Sequence, residues 1–449
     1  MHDLQQKDLR FIWHPCSQMK DYEGFPPIIV ERGDGAYITD IYGKRYLDAV
    51  SSWWVNLFGH CNKRINNAVK KQLDSLEHVI FANFSHKPAI DLGEKIVEIT
   101  PHGLNKVFFA DNGSSAVEIA LKLSFQYHLQ TGSNSKKKFV AISDAYHGET
   151  LGALSVGDID LYSKIYKPLM LDTYKVPGPD CYRCRYGEER ESCSALCFEQ
   201  MEYVIVENHN EICAVIIEPM VQAAAGMKIY SHRYLARLRK ICSDYNIHLI
   251  ADEIAVGFGR TGKMFACEHA GISPDIMCLS KGLTAGYMPL SLVLTTDRIY
   301  DAFYSDYLEK KAFMHSHSYT GNPLACAAAV ESLKIFKDDD VLNENTKKAD
   351  LIRKLTESYS NNHPYVGEFR HIGMIAAIEL VEDKSAKKAF SWEKRVGYNI
   401  YKVALNEGLL LRPLGNVLYF MPPYVVDEKD IEHLINTTFA SINKFFGIK

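Results

Sequence analysis

The sequence predicts an α/β protein built around a mostly parallel sheet. Three observations support this prediction. Short apolar runs recur through the middle of the chain, helical stretches separate them, and Gly, Asp or Ser residues follow several of their ends. The 449 residues are more than one compact core usually contains, so we expect more than one domain.

Six stretches in the middle of the chain are expected to form strands. The run "KVFFA" at 106–110 is apolar, and the stretch 114–128 that follows it has apolar residues at helical spacing. Together with that first run, the predicted strands lie at 106–110, 139–143, 214–218, 248–252, 276–280 and 290–296.

The two ends of the chain have a different pattern. The segment "GAYITDIYGKRYLDAVSS" predicts a small antiparallel unit with Asp and Gly turns, and the C-terminal part mixes helices with strands such as "GMIAAIEL". We therefore predict a central domain over residues 61–330. A smaller α+β domain would combine residues 1–60 with 331–449.

Composition excludes some classes of protein. The formal net charge of −4 gives no basic surface for nucleic acid, and no apolar run reaches the roughly 18–20 residues needed to span a membrane. The charged N-terminus lacks an apolar signal core, so we expect a cytoplasmic protein whose eleven cysteines are thiols.

The residues that follow the predicted strands favour one chemistry. Ligands of open parallel sheets bind beyond the carboxyl ends of the strands. The residues at those ends are Gly113 and Ser114, Tyr146, Glu218, Asp252 and Lys281. Taken one at a time, these residues have ordinary explanations. The Gly113-Ser114 turn could simply cap a helix, Tyr146 could pack in the core, Asp252 could form a cap or an ion pair, and Lys281 could be solvated.

Together they match what pyridoxal phosphate requires. Gly113 and Ser114 open a helix whose free N–H groups suit a phosphate. Lys281 is a lysine able to bond to the cofactor, Asp252 an acid for its ring nitrogen, and Tyr146 an aromatic for its ring face. A lysine at the end of an apolar strand is costly unless it is used, because burial disfavours its charged form.

The same residues lie in motifs that resemble a known family. The stretch "LIADEIAVGFGRTGKMFACEH" at 249–269 and "PDIMCLSKGL" at 274–283 resemble the class III aminotransferases of the type I pyridoxal-phosphate fold. The resemblance covers nearly the whole chain. It implies a large domain with a mostly parallel seven-stranded sheet flanked by helices, plus a small α+β domain from both chain ends.

Further motifs resemble one branch of that family. They are "WHPCSQM", "SSWWVNLFGH", "FADNGSSAVEIALK", "AYHGETLGALSVG", "FMHSHSYTGNPLACAAA" and "LLLRPLGNVLYFMPP". This branch acts in biotin synthesis and converts 8-amino-7-oxononanoate to 7,8-diaminononanoate, with S-adenosylmethionine or lysine as amino donor.

The resemblance also implies roles for individual residues. Lys281 would bond to the cofactor and move the proton, Asp252 would pair with the ring nitrogen, and Tyr146 would cover the ring. Gly113 and Ser114 would hold the phosphate.

A second set of roles concerns the partner subunit and the substrate. His317 and Ser318 match residues that a partner subunit contributes to the phosphate site, which implies a homodimer with shared active sites. Trp53, Ser316 and Arg412 match substrate contacts. A guanidinium suits the substrate carboxylate because it can bind it with two hydrogen bonds.

The amino donor is left open. Cys16 stands where one form of the branch has an aromatic residue that stacks on adenine, and Glu149 stands where that form has Asp. Residues 161–184 and "SHSYTGN" look more like the form that uses lysine. The donor pocket, in which we include Cys16, therefore fits either donor.

The sequence is also compatible with two other functions and contains one possible metal site. The chain could be a class III aminotransferase for ornithine, a diamine or a β-amino acid, or a pyridoxal-phosphate-binding protein without activity. The spacing of Cys181, Cys184, Cys193 and Cys197 could ligate zinc, but a surface loop with buried thiols is the plainer interpretation, and we expect no metal.

Overall fold

The computed structural model describes residues 1–448 and has a seven-stranded sheet at its centre. Three strands precede this sheet in the chain: β1 Val30–Asp34, β2 Tyr37–Asp40 and β3 Arg45–Asp48. Nine strands lie in the middle of the chain: β4 Lys106–Ala110, β5 Lys138–Ile142, β6 Thr173–Val176, β7 Ile212–Ile217, β8 Val221–Gln222, β9 Lys228–Ile229, β10 His248–Asp252, β11 Ile276–Leu279 and β12 Ser291–Thr295. Five follow: β13 Val366–Ile372, β14 Ile375–Asp383, β15 Lys388–Ala389, β16 Leu409–Leu410 and β17 Val417–Phe420.

The central sheet is mostly parallel, as the sequence predicts. Its strand order is β4-β12-β11-β10-β7-β5-β6. Only β12 runs antiparallel to its neighbours β4 and β11. Every residue of β7, β10, β11 and β12 is buried, which is typical of strands covered on both faces. The six predicted strands are confirmed, whereas β6 was missed because its sequence, TYKV, has no continuous apolar run.

Helices connect and cover these strands. The helix Gly113–Gln130 starts where Asn112 caps it, since the Asn112 side chain accepts the Ser115 N–H at 3.0 Å. The helices are Asp3–Phe11, Lys63–Leu73, Lys87–Ile99, Gly113–Gln130, Leu151–Val156, Asp160–Ser163, Glu199–Asn208, His232–Asp244, Asp297–Asp301, Pro323–Asp338, Val341–Ser360, Val396–Asn406 and Glu428–Phe446. Within residues 1–448, none of them has the length and apolar character that crossing a membrane requires.

Strands from the two chain ends meet outside the central sheet. The antiparallel strands β1, β2 and β3 form the predicted N-terminal unit, and β16 from near the C-terminus pairs in parallel with β3. A second sheet contains β13, β14, β15 and β17, all from the C-terminal part. Domain boundaries at residues 60 and 330 stay a prediction.

Candidate active site

Lys281 follows the end of the buried strand β11 and opens a short 3-10 helix, Lys281–Thr284. Its ammonium lies 4.4 Å from the centre of the Trp54 ring. Burial lowers the pKa of Lys281 to about 8, although the negative charges of Asp252 and Glu218 act in the opposite direction. Part of the lysine is therefore the free amine near neutral pH, and the free amine is the form able to act as nucleophile or base.

Asp252 ends the neighbouring parallel strand, with Cys278 of β11 as its register partner. The Asp252 side chain is buried, its Oδ2 lies 2.7 Å from Nδ1 of His147, and its Oδ1 accepts the N–H of Ile254 at 3.1 Å. Asp252 and Lys281 influence each other electrostatically. Within residues 1–448 the two make no ion pair, although the charge of Asp252 acts on Lys281.

His147 and Glu218 support this centre, and neither residue was assigned a role from the sequence. His147 is buried, and its Nε2 has no hydrogen-bond partner among the described residues. Glu218 accepts the N–H groups of Tyr146 at 3.1 Å and Ala223 at 2.9 Å. Burial raises the pKa of Glu218 to about 7, a rise that His147 opposes and Asp252 adds to. The signal for His147 was its position next to Tyr146 in "DAYHG".

The start of the helix Gly113–Gln130 forms a site suited to a phosphate. A Cβ on Gly113 would lie 3.1 Å from the Ile254 side chain, so a larger residue would crowd this turn. The Ser114 hydroxyl lies 2.7 Å from the Thr150 hydroxyl and accepts the Thr150 N–H at 3.1 Å. Free N–H groups, the helix dipole and two hydroxyls together favour an anion here.

Tyr146 lies in the same region, after β5. Its hydroxyl donates to Oε1 of Glu149 at 3.0 Å, and its ring centre is 5.5 Å from that of Tyr162. Burial and the negative charge of Glu149 raise the pKa of Tyr146 above its ordinary value, so the phenol stays protonated. Cys16, from the N-terminal segment, places its Sγ 3.8 Å from the same Glu149 oxygen.

Arg412 and Trp53 form a wall that can face a substrate. The guanidinium carbon of Arg412 lies 3.9 Å from the centre of the Trp53 ring, and within residues 1–448 Arg412 makes no ion pair. Trp53 is 40% exposed, whereas Trp54 is buried and donates its indole N–H to the Tyr419 hydroxyl at 2.9 Å. Of this pair, only Trp53 therefore presents a partly exposed ring, whereas the buried Trp54 ring lies against Lys281.

The turn that presents Trp53 has a left-handed backbone. The φ angles of Ser51, Ser52, Trp53 and Trp54 run from 45° to 76°. Non-glycine residues in this region cost about 1–2 kcal/mol each, so such a turn persists only where its surroundings hold it. Ser51 donates to the Met421 carbonyl at 2.7 Å and Ser52 to Asp48 at 2.6 Å.

Arg260 adds a further anchor for this turn, and it was assigned no role from the sequence. Its fully buried guanidinium donates to the carbonyls of Asn56 at 3.1 Å and Pro422 at 2.8 Å. It therefore ties the segment after the Trp53 turn to the strand end that follows Arg412. Only the folded chain brings these distant segments together.

The segment that contains His317 lies beside the phosphate site of its own chain. Nδ1 of His317 is 3.0 Å from Asp111, the residue between the end of β4 and Asn112, and its Nε2 is 3.0 Å from His315. Ser316 and Ser318 are exposed in the single chain. A contribution of these residues to a partner subunit stays a prediction.

These residues fit pyridoxal phosphate. The buried carboxylate of Asp252 would suit its ring nitrogen, the helix start at Gly113 its phosphate, and the Lys281 amine with its lowered pKa its carbonyl carbon. When bound, this cofactor supplies an electron sink that stabilises the charge left on a carbon after proton removal.

Comparison with known proteins identifies the family. The model of the family described as "Aminotransferase class-III" matches residues 18–442. A relative from Geobacter sulfurreducens, named adenosylmethionine-8-amino-7-oxononanoate aminotransferase, is 44% identical over 99% of this chain and 98% of its own. A crystal structure of the protein with the same name from Methanocaldococcus jannaschii has a TM-score of 0.93 at 39% identity and covers 98% of both chains.

An omega transaminase from Pseudomonas jessenii, solved in complex with PMP, has a TM-score of 0.94 at 30% identity over 99% of both chains. The cofactor of this family is pyridoxal 5′-phosphate. The family match spans most of the sequence, and the residues around Lys281 fit that cofactor, so the chain belongs to the class III aminotransferases.

Proposed function

We propose that the chain transfers an amino group to the ketone of 8-amino-7-oxononanoate and so produces 7,8-diaminononanoate for biotin synthesis. The observation that carries this proposal is Arg412, a guanidinium without an ionic partner in residues 1–448, stacked on the partly exposed Trp53. An acceptor with a carboxylate at the end of an apolar chain matches this wall. The names of the relatives with 40–44% identity support the same substrate.

The residues of the site can perform this transfer. The Lys281 amine would take a proton from the carbon that carries the donor's amino group and pass it to the bound cofactor, and in the second half of the reaction it would carry a proton from the cofactor to the carbon that was the acceptor's ketone. The Asp252 carboxylate, held by His147 and by the Ile254 N–H, keeps the cofactor's ring nitrogen protonated. Arg412 holds the acceptor's carboxylate so that its ketone faces Lys281.

An acceptor screen tests the substrate. We expect 8-amino-7-oxononanoate to give a kcat/KM well above those of pyruvate and of the keto or aldehyde partners of ornithine, diamines and β-amino acids. Efficient turnover of one of those acceptors, with none of 8-amino-7-oxononanoate, would instead support another class III aminotransferase. A protein that binds the cofactor and turns over no acceptor would be a non-catalytic binder.

For the donor, we propose that lysine competes with S-adenosylmethionine. Stacking of a base on an aromatic ring contributes roughly 1–3 kcal/mol, and the exposed Cys16 offers no ring for it. Glu149, which has no cationic partner in residues 1–448, suits the distal ammonium of lysine. Tyr162, whose ring lies next to that of Tyr146, is an aromatic residue on which the adenine of S-adenosylmethionine could stack in part instead.

The donor proposal is tested by kcat/KM for both donors in the natural enzyme and in Cys16→Tyr. We expect Cys16→Tyr to raise kcat/KM for S-adenosylmethionine about ten- to hundredfold, because roughly 1.4 kcal/mol of binding free energy corresponds to one factor of ten. Cys61→Tyr, at another exposed cysteine, is the control. A strong preference for S-adenosylmethionine that Cys16→Tyr leaves unchanged would contradict the proposal.

We also propose a cytoplasmic homodimer with active sites shared between subunits. Exposed apolar side chains near the His317 segment support an interface, namely Ile80, Phe84, Ile90, Met314 and Tyr319. Mixing Lys281→Ala chains with chains altered at Ser316 and Ser318 should restore part of the activity through hybrid sites. A lack of restored activity, with subunit exchange demonstrated, would contradict shared sites.

A further inference from the structure

The N-terminal segment, residues 12–24, lies against the proposed substrate pocket with little packing to hold it there, since none of its residues is buried. Within residues 1–448, it forms hydrogen bonds with the chain beyond residue 27 at only two points. One joins Cys16 to Glu149 at 3.8 Å, and the other joins Asp21 to Arg395. We infer that Asp21 and Arg395 are a positioning pair that holds this segment in place as one wall of the substrate pocket.

The Asp21–Arg395 pair is the stronger of these two links, because a thiol is a weak donor. Nη1 of Arg395 donates to Oδ1 of Asp21 at 2.9 Å, and Nη2 donates to Oδ2 at 2.6 Å. Two parallel hydrogen bonds between a planar guanidinium and a carboxylate fix orientation as well as distance. They also lower the pKa of Asp21 and raise that of Arg395, so both groups are charged near neutral pH.

Arg395 is itself held in a defined position. It directly precedes the helix Val396–Asn406 and has a left-handed backbone, with a φ of 46°. Its guanidinium carbon lies 4.1 Å from the centre of the Tyr398 ring, on the first turn of that helix. A cation is attracted to the face of an aromatic ring, so this contact favours one orientation of the guanidinium. The N-terminal segment is therefore tied to a helix and not to another loop.

The helix that follows Arg395 also borders the proposed substrate wall. The chain runs from this helix through β16 to Arg412. Burial raises the pKa of Tyr401, on the helix, to about 12, and the positive charge of Arg412 is close enough to act in the opposite direction. The ring of Phe25, just after the N-terminal segment, lies 6.5 Å from that of Tyr401. The end of the segment is thus fixed beside the residue proposed to bind the acceptor's carboxylate.

The middle of the segment lies between two charged groups of the pocket. Partial burial and the negative charge of Glu149 raise the pKa of the Cys16 thiol, whereas the positive charge of Arg412 acts in the opposite direction. Cys16 is therefore near the group proposed for the donor and near the group proposed for the acceptor. A shift of the N-terminal segment would change both halves of the pocket at once.

The remaining side-chain hydrogen bonds of the segment shape it without attaching it to the helix. Nε2 of His14 lies 2.7 Å from Asp8, and the Tyr22 hydroxyl donates to Ser17 at 3.1 Å. Both bonds join residues of the chain end to one another. An exposed ion pair contributes little to the stability of a whole protein, but here it determines the position of a segment without buried residues. Its loss should therefore change the pocket more than the fold.

Alkylation of Cys16 tests the position of the segment independently of the proposed function. Asp21→Asn and Arg395→Gln should each free the segment and so lower the pKa of the thiol. The rate of reaction of Cys16 with iodoacetamide should then rise about threefold or more relative to Cys61, the other exposed cysteine. Peptide mass spectrometry of the cofactor-loaded enzyme measures this ratio. Asp244→Asn, which breaks an exposed ion pair elsewhere in the chain, is the control. An unchanged ratio in both variants would overturn the inference.

Steady-state kinetics test the effect on the pocket, which rests on the proposed function. Both single variants should raise KM for the donor and for the acceptor about three- to tenfold, with kcat, cofactor affinity and Tm nearly unchanged. Exchanging the charges, with Asp21→Arg and Arg395→Asp together, should return both KM values and the Cys16 reaction rate toward those of the natural enzyme. A lower Tm with unchanged KM and unchanged alkylation would show a purely structural pair and overturn the inference. Faster alkylation of Cys16 with unchanged KM values would confirm the attachment and contradict the substrate pocket proposed beside it.

Discussion

The cofactor end of the central sheet and the wall that faces the substrate are built in opposite ways. Asp252 is the last residue of the buried strand β10 and Lys281 follows the end of its buried neighbour β11, so the sheet itself fixes their separation. Trp53 and Arg412 come from opposite ends of the chain and meet through a left-handed turn. The first pair is therefore positioned by the sheet, whereas the positions of Trp53 and Arg412 depend on contacts between segments that are distant in the sequence.

Replacing Lys281 is expected to reduce activity more than any other change. Lys281→Ala removes the nucleophile and the proton carrier, so we expect kcat to fall by on the order of 10⁴-fold or more. Cofactor should still bind through the helix that starts at Gly113. Steady-state kinetics with saturating cofactor measures this, and Lys263→Ala, at an exposed lysine, is the control. Retained activity in Lys281→Ala would show that the centre lies elsewhere.

Asp252→Asn should have the next largest effect. At an effective dielectric of about 20, an ion pair at roughly 4 Å contributes about 4 kcal/mol, or about a thousandfold in rate if all of it is expressed in the transition state. The variant keeps the shape of the side chain and loses its charge. Single-turnover kinetics measures the proton-transfer step directly, with the exposed Asp301→Asn as control. A loss below tenfold would mean that the charge of Asp252 does not act on the ring.

Arg412→Ala tests the substrate wall. Hydrogen bonds to charged groups contribute about 1.5–3 kcal/mol, so we expect the acceptor KM to rise about ten- to hundredfold with cofactor affinity unchanged. Arg412→Lys should rescue poorly, because a point charge cannot make two parallel hydrogen bonds or stack equally well on Trp53. An acceptor KM that stays the same in Arg412→Ala would remove this residue from the substrate site.

The smallest expected effect is a pH dependence of cofactor uptake. Burial lowers the pKa of Lys281 to about 8, so the free amine increases as pH rises through that value. Uptake of pyridoxal phosphate by cofactor-free protein should therefore become about tenfold faster between pH 7 and pH 9 and then level off. Stopped-flow absorbance measures the rate. A rate that climbs steadily beyond pH 9.5 would indicate a lysine with an ordinary pKa.

The same contrast determines how much the sequence could predict. The strands around Asp252 and Lys281 were predictable because apolar runs mark buried strands, and a parallel sheet gathers the residues at its carboxyl ends. The strand β6 was not predictable, because its sequence, TYKV, contains no continuous apolar run. The substrate residues Trp53 and Arg412 were inferred only from a family resemblance.

Other parts of the site depend on contacts that no local pattern encodes. His147 orients Asp252 from a different loop, and Arg260 holds the Trp53 turn through backbone carbonyls from two remote segments. A left-handed turn of four non-glycine residues has no signature in the sequence, because local preference disfavours it. Tertiary contacts alone make it the stable conformation.

We expect Lys281 to be the residue that bonds to the cofactor. The purified enzyme with pyridoxal phosphate should be yellow, and reduction with borohydride should attach the cofactor irreversibly. Digestion and mass spectrometry then locate the modified residue. We expect a single modified peptide that contains Lys281; modification of a different lysine, with the Lys281 peptide intact, would show that Lys281 does not bond to the cofactor.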